Sequence, residues 1–349
     1  MIETKAPGRI CFFGDHQDYL TLPVIAGTID RFIRIKGEPN GKDYLQLKLI
    51  NFDSELKINL NDPLKVLKKG DYLRSSIRVL KRNRIILNKG YDVEINGNIP
   101  INAGLSSSSA LTVAWLRFLT KAAIPDNKFE DEQFAKWAYE SEVLEFNEAG
   151  GIMDQFTISI GGMLYINTLE TSFKRLKVSM GKIIVGDSGI KKKTQDILQR
   201  LKGGATKAIE MIQKHNPNFS IHNAKKQDFY DLRKNLPFEL HPYFYAAVFN
   251  HEITQSALLE LSKSNCDLNK IFQLINAHQD ILDKKLNNTP NDMIRMMDAA
   301  KSAGAKATKI VGSGGGGCFL AMVDPLDEKK VLNSILDAGA LDAFSVNLI

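Results

Sequence analysis

The stretch that most constrains this chain is ALTVAWLRFLTKAA, residues 110–123, whose apolar residues fall on most faces of the helix it forms. A helix that is apolar nearly all round has to be buried nearly all round, which asks for a core with other elements on several sides. Pro125 marks its end, because proline cannot continue a helix. With 349 residues, the chain is long enough to build such a core and to form two modest domains.

The segments before about residue 100 read mainly as strands. Phe32 to Lys36, Tyr44 to Asn51 and Ser54 to Ile58 have alternating or β-branched content, with turn formers such as Glu38-Pro39-Asn40-Gly41 between them. A helix is predicted over 72–83 and a strand over 91–95. Beyond the buried helix, DEQFAKWAYESEVLEF predicts a second one over 131–146, opened by acidic residues that suit its N-terminal dipole. MLYIN then reads as a strand. The second half opens with the strand IIVGDSG and continues with helices near 193–214, 251–263, 268–285 and 291–303. It closes with the strands ATKIV and CFLAMV, the helix EKKVLNSILDAG and the strand-like FSVNLI. Helices and strands mix in both halves, so the expected class is α+β in two domains, 1–175 and 176–349, with a seam near 165–183.

Composition excludes several functions. Hydrophobic residues at 44% and charged residues at 25% are ordinary for a folded soluble chain. The formal charge of +6 is scattered along the length, which suits small anions at least as well as nucleic acid, and no nucleic-acid partner is expected. No apolar run reaches the ~18–20 residues of a membrane span, and the first residues lack a secretory signal, so no membrane association and a cytoplasmic location are expected. Cys11, Cys266 and Cys318 are unpaired in spacing, which argues against structural zinc and against a disulfide framework.

Three small-residue stations remain. The first in importance is Asn98 to Leu105 followed by Ser106, Ser107, Ser108 and Ser109, directly before the buried helix. Backbone N–H groups at a helix start lack intrahelical acceptors and carry partial positive charge, so phosphate is a favourable ligand there, and the hydroxyls can meet a phosphate-bound Mg²⁺. The plainer alternative is a serine-rich cap. No Gly-Lys-Ser/Thr follows, so this is not a Walker A loop. The second station is Lys309 to Leu320, where Gly312, Gly314 and Gly317 have dinucleotide-fingerprint spacing but lead into a strand, which favours a tight packed glycine loop. The third is Ala6 to Tyr19. There the apolar strand ICFF delivers Asp15, His16 and Asp18 after Gly14, a cluster able to accept several hydroxyl hydrogen bonds from a polyhydroxylated substrate. A metal site and a plain solvated turn are its rival readings.

Taken in order, APGRICFFGDHQDY, NIPINAGLSSSSA and KIVGSGGGGCFLA resemble the three motifs of the GHMP kinase superfamily, over nearly the whole chain. The resemblance implies a two-domain GHMP kinase fold, with an N-terminal ribosomal-protein-S5-like domain and a C-terminal ferredoxin-like domain around ATP and substrate. GDHQDY and Gly151-Ile152-Met153-Asp154-Gln155 are similar to segments of galactokinase-like sugar 1-kinases. By that resemblance Asp154 and Arg9 flank the reacting hydroxyl, and Asp15, His16, Asp18 and Gly151 hold the sugar. Gly104, Leu105 and Ser106 to Ser109, with Gly314 and Gly315, cradle the nucleotide. The implied metal is Mg²⁺, held by Ser108, with Ser107 as the alternative, and by a helix glutamate. Helical periodicity leaves Glu142 and Glu145 both open; the family's twelve-residue interval before the aspartate selects Glu142.

The activity this implies is ATP-dependent phosphorylation of the anomeric hydroxyl of a monosaccharide. A mevalonate kinase-like small-alcohol kinase and a catalytically silent sensor of the same fold are the alternatives. Three departures from galactokinases stand out. Asp15 replaces a glutamate, LTLPVIAG lacks a glycine pair, and IKKKTQDILQR lacks the Tyr-Asn-x-Arg-Arg pattern. Galactose itself is therefore open, and Lys191 to Lys193 could face an acidic sugar if they are not simply a solvated charge run.

Overall fold

In a computed structural model of the chain, residues 1–126, 128–192 and 194–349 are described. β1 (Ile2–Phe13) and β2 (Val24–Pro39) form a long antiparallel pair, from Ile2–Gly37 to Phe13–Ile25, with register shifts between Pro7 and Gly8 and between Cys11 and Phe13. They are followed by β3 (Tyr44–Leu49), β4 (Ser54–Asn59), β5 (Tyr91–Gly97), β6 (Met163–Asn167) and β7 (Ser172–Arg175). The sheet order is β4-β3-β5-β2-β6-β7, with β1 also on β2. β2 is long because residues 33–39 pair with β5 while residues 24–27 pair with β6. Sequence alternation reveals only residues 32–36 of it, since Val24 to Ile29 are all buried and show no polar face.

Over this sheet lie α1 (Tyr72–Arg82), α2 (Ser107–Ala123), α3 (Asp131–Glu142) and α4 (Met153–Ile160). α1 starts where the Asp71 carboxylate accepts the Arg74 N–H at 3.1 Å, an N-cap. α2 is the helix apolar on most faces, and it packs against β1, β2, α1, α3 and α4. Its fully buried Trp115 donates to the Leu73 carbonyl at 3.0 Å and stacks on Phe118. Gly37 lets Phe118 lie on the strand, because a Cβ there would sit 2.7 Å from the ring. Each such aliphatic or aromatic side chain contributes about 1.5–3 kcal/mol by burial, so a polar residue at Val113 or Leu116 would break this layer. α3 ends at Glu142 rather than continuing to Phe146. Val143 caps α3 with its N–H still bonded to the Tyr139 carbonyl, a one-turn 3-10 helix covers Leu144–Phe146, and Asn147 closes it at φ 50°.

The second half contains β8 (Lys182–Asp187), α5 (Thr194–His215), α6 (Lys226–Leu232), α7 (His241–Leu261), α8 (Leu268–Lys284) and α9 (Asn291–Ser302). It ends with β9 (Ala307–Ile310), β10 (Cys318–Val323), α10 (Glu328–Asp337) and β11 (Asp342–Val346). The sheet order is β11-β8-β10-β9, antiparallel throughout, the ferredoxin-like arrangement. α7 begins at His241 rather than near 251, because HPYFYAAVFN is buried on nearly every face and shows no helical period. No helix of the described residues is long and apolar enough to cross a membrane.

The two sheets are tied directly. Leu348 bridges Ile29, the Gln17 amide donates to the Ala247 carbonyl of α7 at 3.0 Å, and the Cys318 N–H donates to the Ala103 carbonyl at 2.6 Å. These contacts close the β1 end, the start of α2 and the 312–317 glycine loop around one cleft.

Candidate active site

The cleft has a volume of about 380 Å³, large enough for a small-molecule ligand, and is lined from both halves of the chain. β1 brings in Arg9, whose N–H donates to the Leu105 carbonyl and so holds the strand to the serine station. The Arg9 guanidinium, only 3% exposed, donates through Nε to Asp154 Oδ1 at 2.7 Å and through Nη1 to the Gly104 carbonyl at 2.6 Å. Asp154 sits in the first turn of α4, where the helix dipole favours its negative charge. Its Oδ2 accepts from Ser106 Oγ at 2.5 Å. The carboxylate is thus fixed by two donors while its side chain keeps 28% of its surface open.

Ser106 has φ 60° and spends its hydroxyl on Asp154, not on capping α2. The first N–H groups of α2 are therefore left for another acceptor, beside the half-buried Ser107 and the exposed Ser108, both lining the cleft. Ser109 points inward and donates to Glu142 at 2.7 Å.

Glu142 is 5% exposed and accepts from Ser109, Thr112 and Gln155, which are all neutral. Burial outweighs these hydrogen bonds and pushes its carboxyl up to about 7. Glu145, the other candidate acid, lies in the 3-10 turn after α3 and is paired with Arg78 and Arg82 of α1. This pairing gives Glu145 a structural partner and leaves Glu142 facing the cleft without one of opposite charge among its bonded neighbours. A buried carboxylate of this kind, next to unspent serine hydroxyls, fits Mg²⁺, which binds through one or two protein oxygens while phosphate and water supply the rest. Among the described residues there is no cluster of three or more His, Cys, Asp or Glu able to hold a metal on its own, so an all-protein metal cage is not the arrangement.

Asp18 lies on the turn after β1 and accepts the Tyr19 N–H at 2.9 Å. Burial and the nearby charge of Asp154 push its carboxyl up to about 6. Gly151 makes room for it, since a Cβ there would stand 2.3 Å from the Asp18 carboxylate. The structure therefore brings Asp154, Arg9, Asp18, Gly151, Gly104, Glu142 and the serine run to one cleft.

Other expected residues are placed differently. Asp15 lines the cleft but is only 2% exposed. Its Oδ2 pairs with Lys309 Nζ at 2.5 Å and its Oδ1 accepts the Gly312 N–H at 3.2 Å. His16 Nε2 lies 3.1 Å from the Ser313 carbonyl and 3.0 Å from the Asn288 amide, and burial pulls its ring down to about 4, so it is neutral at pH 7. Leu105 is fully buried behind the serine station. Gly314 and Gly315 are outside the cleft lining: positive-φ glycines that pack under Asn288 and Ile197. Lys191 is exposed, whereas Lys192 lines the cleft, donates to the Val311 carbonyl at 2.9 Å and is pulled down to about 8 by burial. Lys193 lies outside the described residues.

Sequence reasoning missed Lys309, Asn288, Thr112 and Tyr72. Only Lys309 carried a signal: a lysine inside the apolar strand ATKIV has no solvated face and needs a buried acid.

Comparison with known proteins places this geometry in context. The model of the GHMP kinases N terminal domain matches residues 71–162, and that of the GHMP kinases C terminal region matches residues 258–341. The chain is 24% identical to the mevalonate kinase of Thermococcus onnurineus over 344 residues, covering 96% of this chain and 92% of that one. It is 27% identical to the galactokinase of Lacticaseibacillus casei over 347 residues, covering 95% and 87%. Lactococcus lactis galactokinase complexed with galactose superposes with a TM-score of 0.87 at 20% identity, covering 99% of this chain and 93% of that one.

Proposed function

Since the chain belongs to the GHMP kinase superfamily and is a phosphotransferase of that family, we propose that its acceptor is the anomeric hydroxyl of a monosaccharide, with ATP as donor and Mg²⁺ as cofactor. Identity to relatives does not choose between sugar and mevalonate, because both kinds of kinase align at similar levels. The observation that carries the sugar reading is the second carboxylate, Asp18, held beside Asp154 in a space that only Gly151 leaves open. Two adjacent acids and the neighbouring polar backbone suit an acceptor with several hydroxyls; an acceptor presenting methyl and methylene groups would leave them unpaired at a cost of about 1–3 kcal/mol each.

A sugar hydroxyl is a weak nucleophile at neutral pH. Asp154, fixed by Arg9 and Ser106, takes its proton as the new oxygen–phosphorus bond forms and the bond from the γ-phosphorus to the bridging oxygen of ATP breaks, leaving ADP. Arg9 stays cationic and offsets charge on the group in transit. The unspent N–H groups at the start of α2 face the phosphates. Glu142 and Ser108, or Ser107, would hold Mg²⁺, which when bound neutralises phosphate charge. In this reading Asp15 and His16 shape the sugar pocket from behind, and Gly314 and Gly315 support the nucleotide loops by packing.

The test is ADP release and product analysis over a panel of aldoses, uronic acids and mevalonate, with Asp154→Asn as control. Phosphorylation of a sugar at its anomeric oxygen supports the reading. Turnover of mevalonate alone refutes the sugar assignment, and sugar binding without ADP above the control favours a sensor.

A further inference from the structure

The Lys309–Asp15 pair joins the second sheet to the end of β1, and both side chains are essentially inaccessible, at 0% and 1% exposure. Lys309 Nζ makes a second bond, to the Ile310 carbonyl at 2.7 Å. Asp15 uses its other oxygen on the Gly312 N–H. Gly312, at φ +72°, lies against two groups of the site: a Cβ added there would be 3.1 Å from the Gly104 carbonyl oxygen and 3.6 Å from Arg9 Nη2. That same carbonyl accepts from Arg9 Nη1, and Arg9 Nε holds Asp154. Hydrogen bonds therefore run from a lysine of β9 through Asp15 to the Gly312 N–H, and from the Gly104 carbonyl through Arg9 to the reacting carboxylate, and the gap between Gly312 and Gly104 is too tight for a side chain at 312.

We propose that Lys309 is a positioning residue for phosphoryl transfer: clamped to Asp15, it seats Gly312 against the Gly104 carbonyl and so fixes the Arg9 guanidinium on Asp154. The inference rests on the reading of Arg9 and Asp154 as the reacting pair. It also changes the role of Asp15, whose oxygens are committed to the clamp and not to an acceptor hydroxyl. Stability alone does not account for the pair, because apolar side chains of similar volume often stabilise a core as well as a buried ion pair does. Misplacement of a catalytic group by about 1 Å, in contrast, can cost about 10²-fold in rate.

The groups facing Asp15 are Lys309 of β9, His278 of α8, Arg9 and Cys11 of β1, His16 of its own turn and Lys192 ahead of α5. Burial works to raise the Asp15 carboxyl, and Lys309 foremost brings it below its ordinary value. Without that ammonium, burial is left to raise the carboxyl.

The experiment compares Lys309→Met, Asp15→Asn and the double variant for thermal unfolding, kcat, KM for ATP and for the acceptor found in the panel, and pH–rate profile. The double variant should fold, with kcat reduced about tenfold or more and both KM values within about threefold. The pH–rate profile of Lys309→Met should differ in shape from that of the wild type, whereas that of the double variant, which has no acid at position 15, should not. Asp15→Asn keeps an oxygen for the Gly312 N–H and is the arm that survives if methionine at 309 prevents folding; its kcat should fall with KM unchanged. Wild-type kcat in any folded variant overturns the proposal, as does a rise in acceptor KM alone, which would make Asp15 a direct ligand. Failure of all three to fold makes the pair a folding requirement and likewise overturns it. Wild-type kcat in Asp154→Asn would instead remove the catalytic reading, so the two failures are distinguishable.

Discussion

Glu142→Gln should stabilise the ligand-free protein at alkaline pH while abolishing its response to Mg²⁺. The Glu142 carboxyl is raised by burial from 4.5 to about 7. The folded state therefore binds its proton more tightly than the unfolded chain, so the associated stability is present below about pH 4.5 and is lost as pH rises through about 7. At about 1.4 kcal/mol per unit, the full loss is about 3 kcal/mol. For 349 residues at ~2.1 cal/mol/K each, this corresponds to about 4 °C in Tm. Because other groups titrate in the same range, the quantity to measure is the difference between wild type and variant, by thermal unfolding from pH 5 to 8.5. That difference should grow in favour of glutamine by about 4 °C as pH rises. Adding Mg²⁺ with a non-hydrolysable ATP analogue should raise the wild-type Tm above pH 7, because the charged carboxylate gains a counter-ion, and should do so far less for the variant. Parallel pH curves for the two proteins, or an equal response to Mg²⁺, would refute both the buried charge and its assignment to the metal.

Asp154→Asn should lower kcat by about 10²–10⁴-fold with KM values changed only a few-fold, as measured by coupled ADP release. Gly151→Ala places a methyl group 2.3 Å from the Asp18 carboxylate, so the acceptor KM should rise by about tenfold or more while the ATP KM holds, in steady-state kinetics with each substrate varied. His278 is fully buried and burial pulls its ring down to about 3, so the stability it contributes is complete above about pH 6.5 and is lost as pH falls. His278→Phe, which keeps a ring stacked on Phe13, should therefore spare about 3 kcal/mol of the loss between pH 6.5 and 4.5 in denaturant unfolding.

What could be read before the structure divides along a physical line. Loops that present backbone to a ligand are written locally: a run of small residues before a buried helix, or glycines between two strands, states its purpose within about ten residues. Ser106 comes from such a segment, whereas Arg9, Glu142 and Asp154 lie on β1, α3 and α4 and are picked out by family resemblance; the folded chain gathers all four into one cleft. Elements stabilised from all sides are written poorly, because burial on every face removes the alternation and period by which strands and helices are recognised. The first half of β2, the start of α7 and the eight-residue α4 all failed to show for that reason, and α4 carries Asp154.

Pairing between distant segments is not written locally at all. Helical periodicity puts Glu142 and Glu145 on one side of one helix, but α3 stops at Glu142, and Arg78 and Arg82 of α1, arriving from another part of the chain, separate a structural acid from one left facing the cleft. Asp15 followed the same rule in the opposite direction. Beside His16 and Asp18 it reads as one of three sugar ligands, until a lysine 294 residues away takes its carboxylate out of play. A charged residue inside an apolar strand is therefore worth treating as half of a pair whose other half lies at a site. For Lys309 the missing half was an acid of the very motif that seemed complete without it.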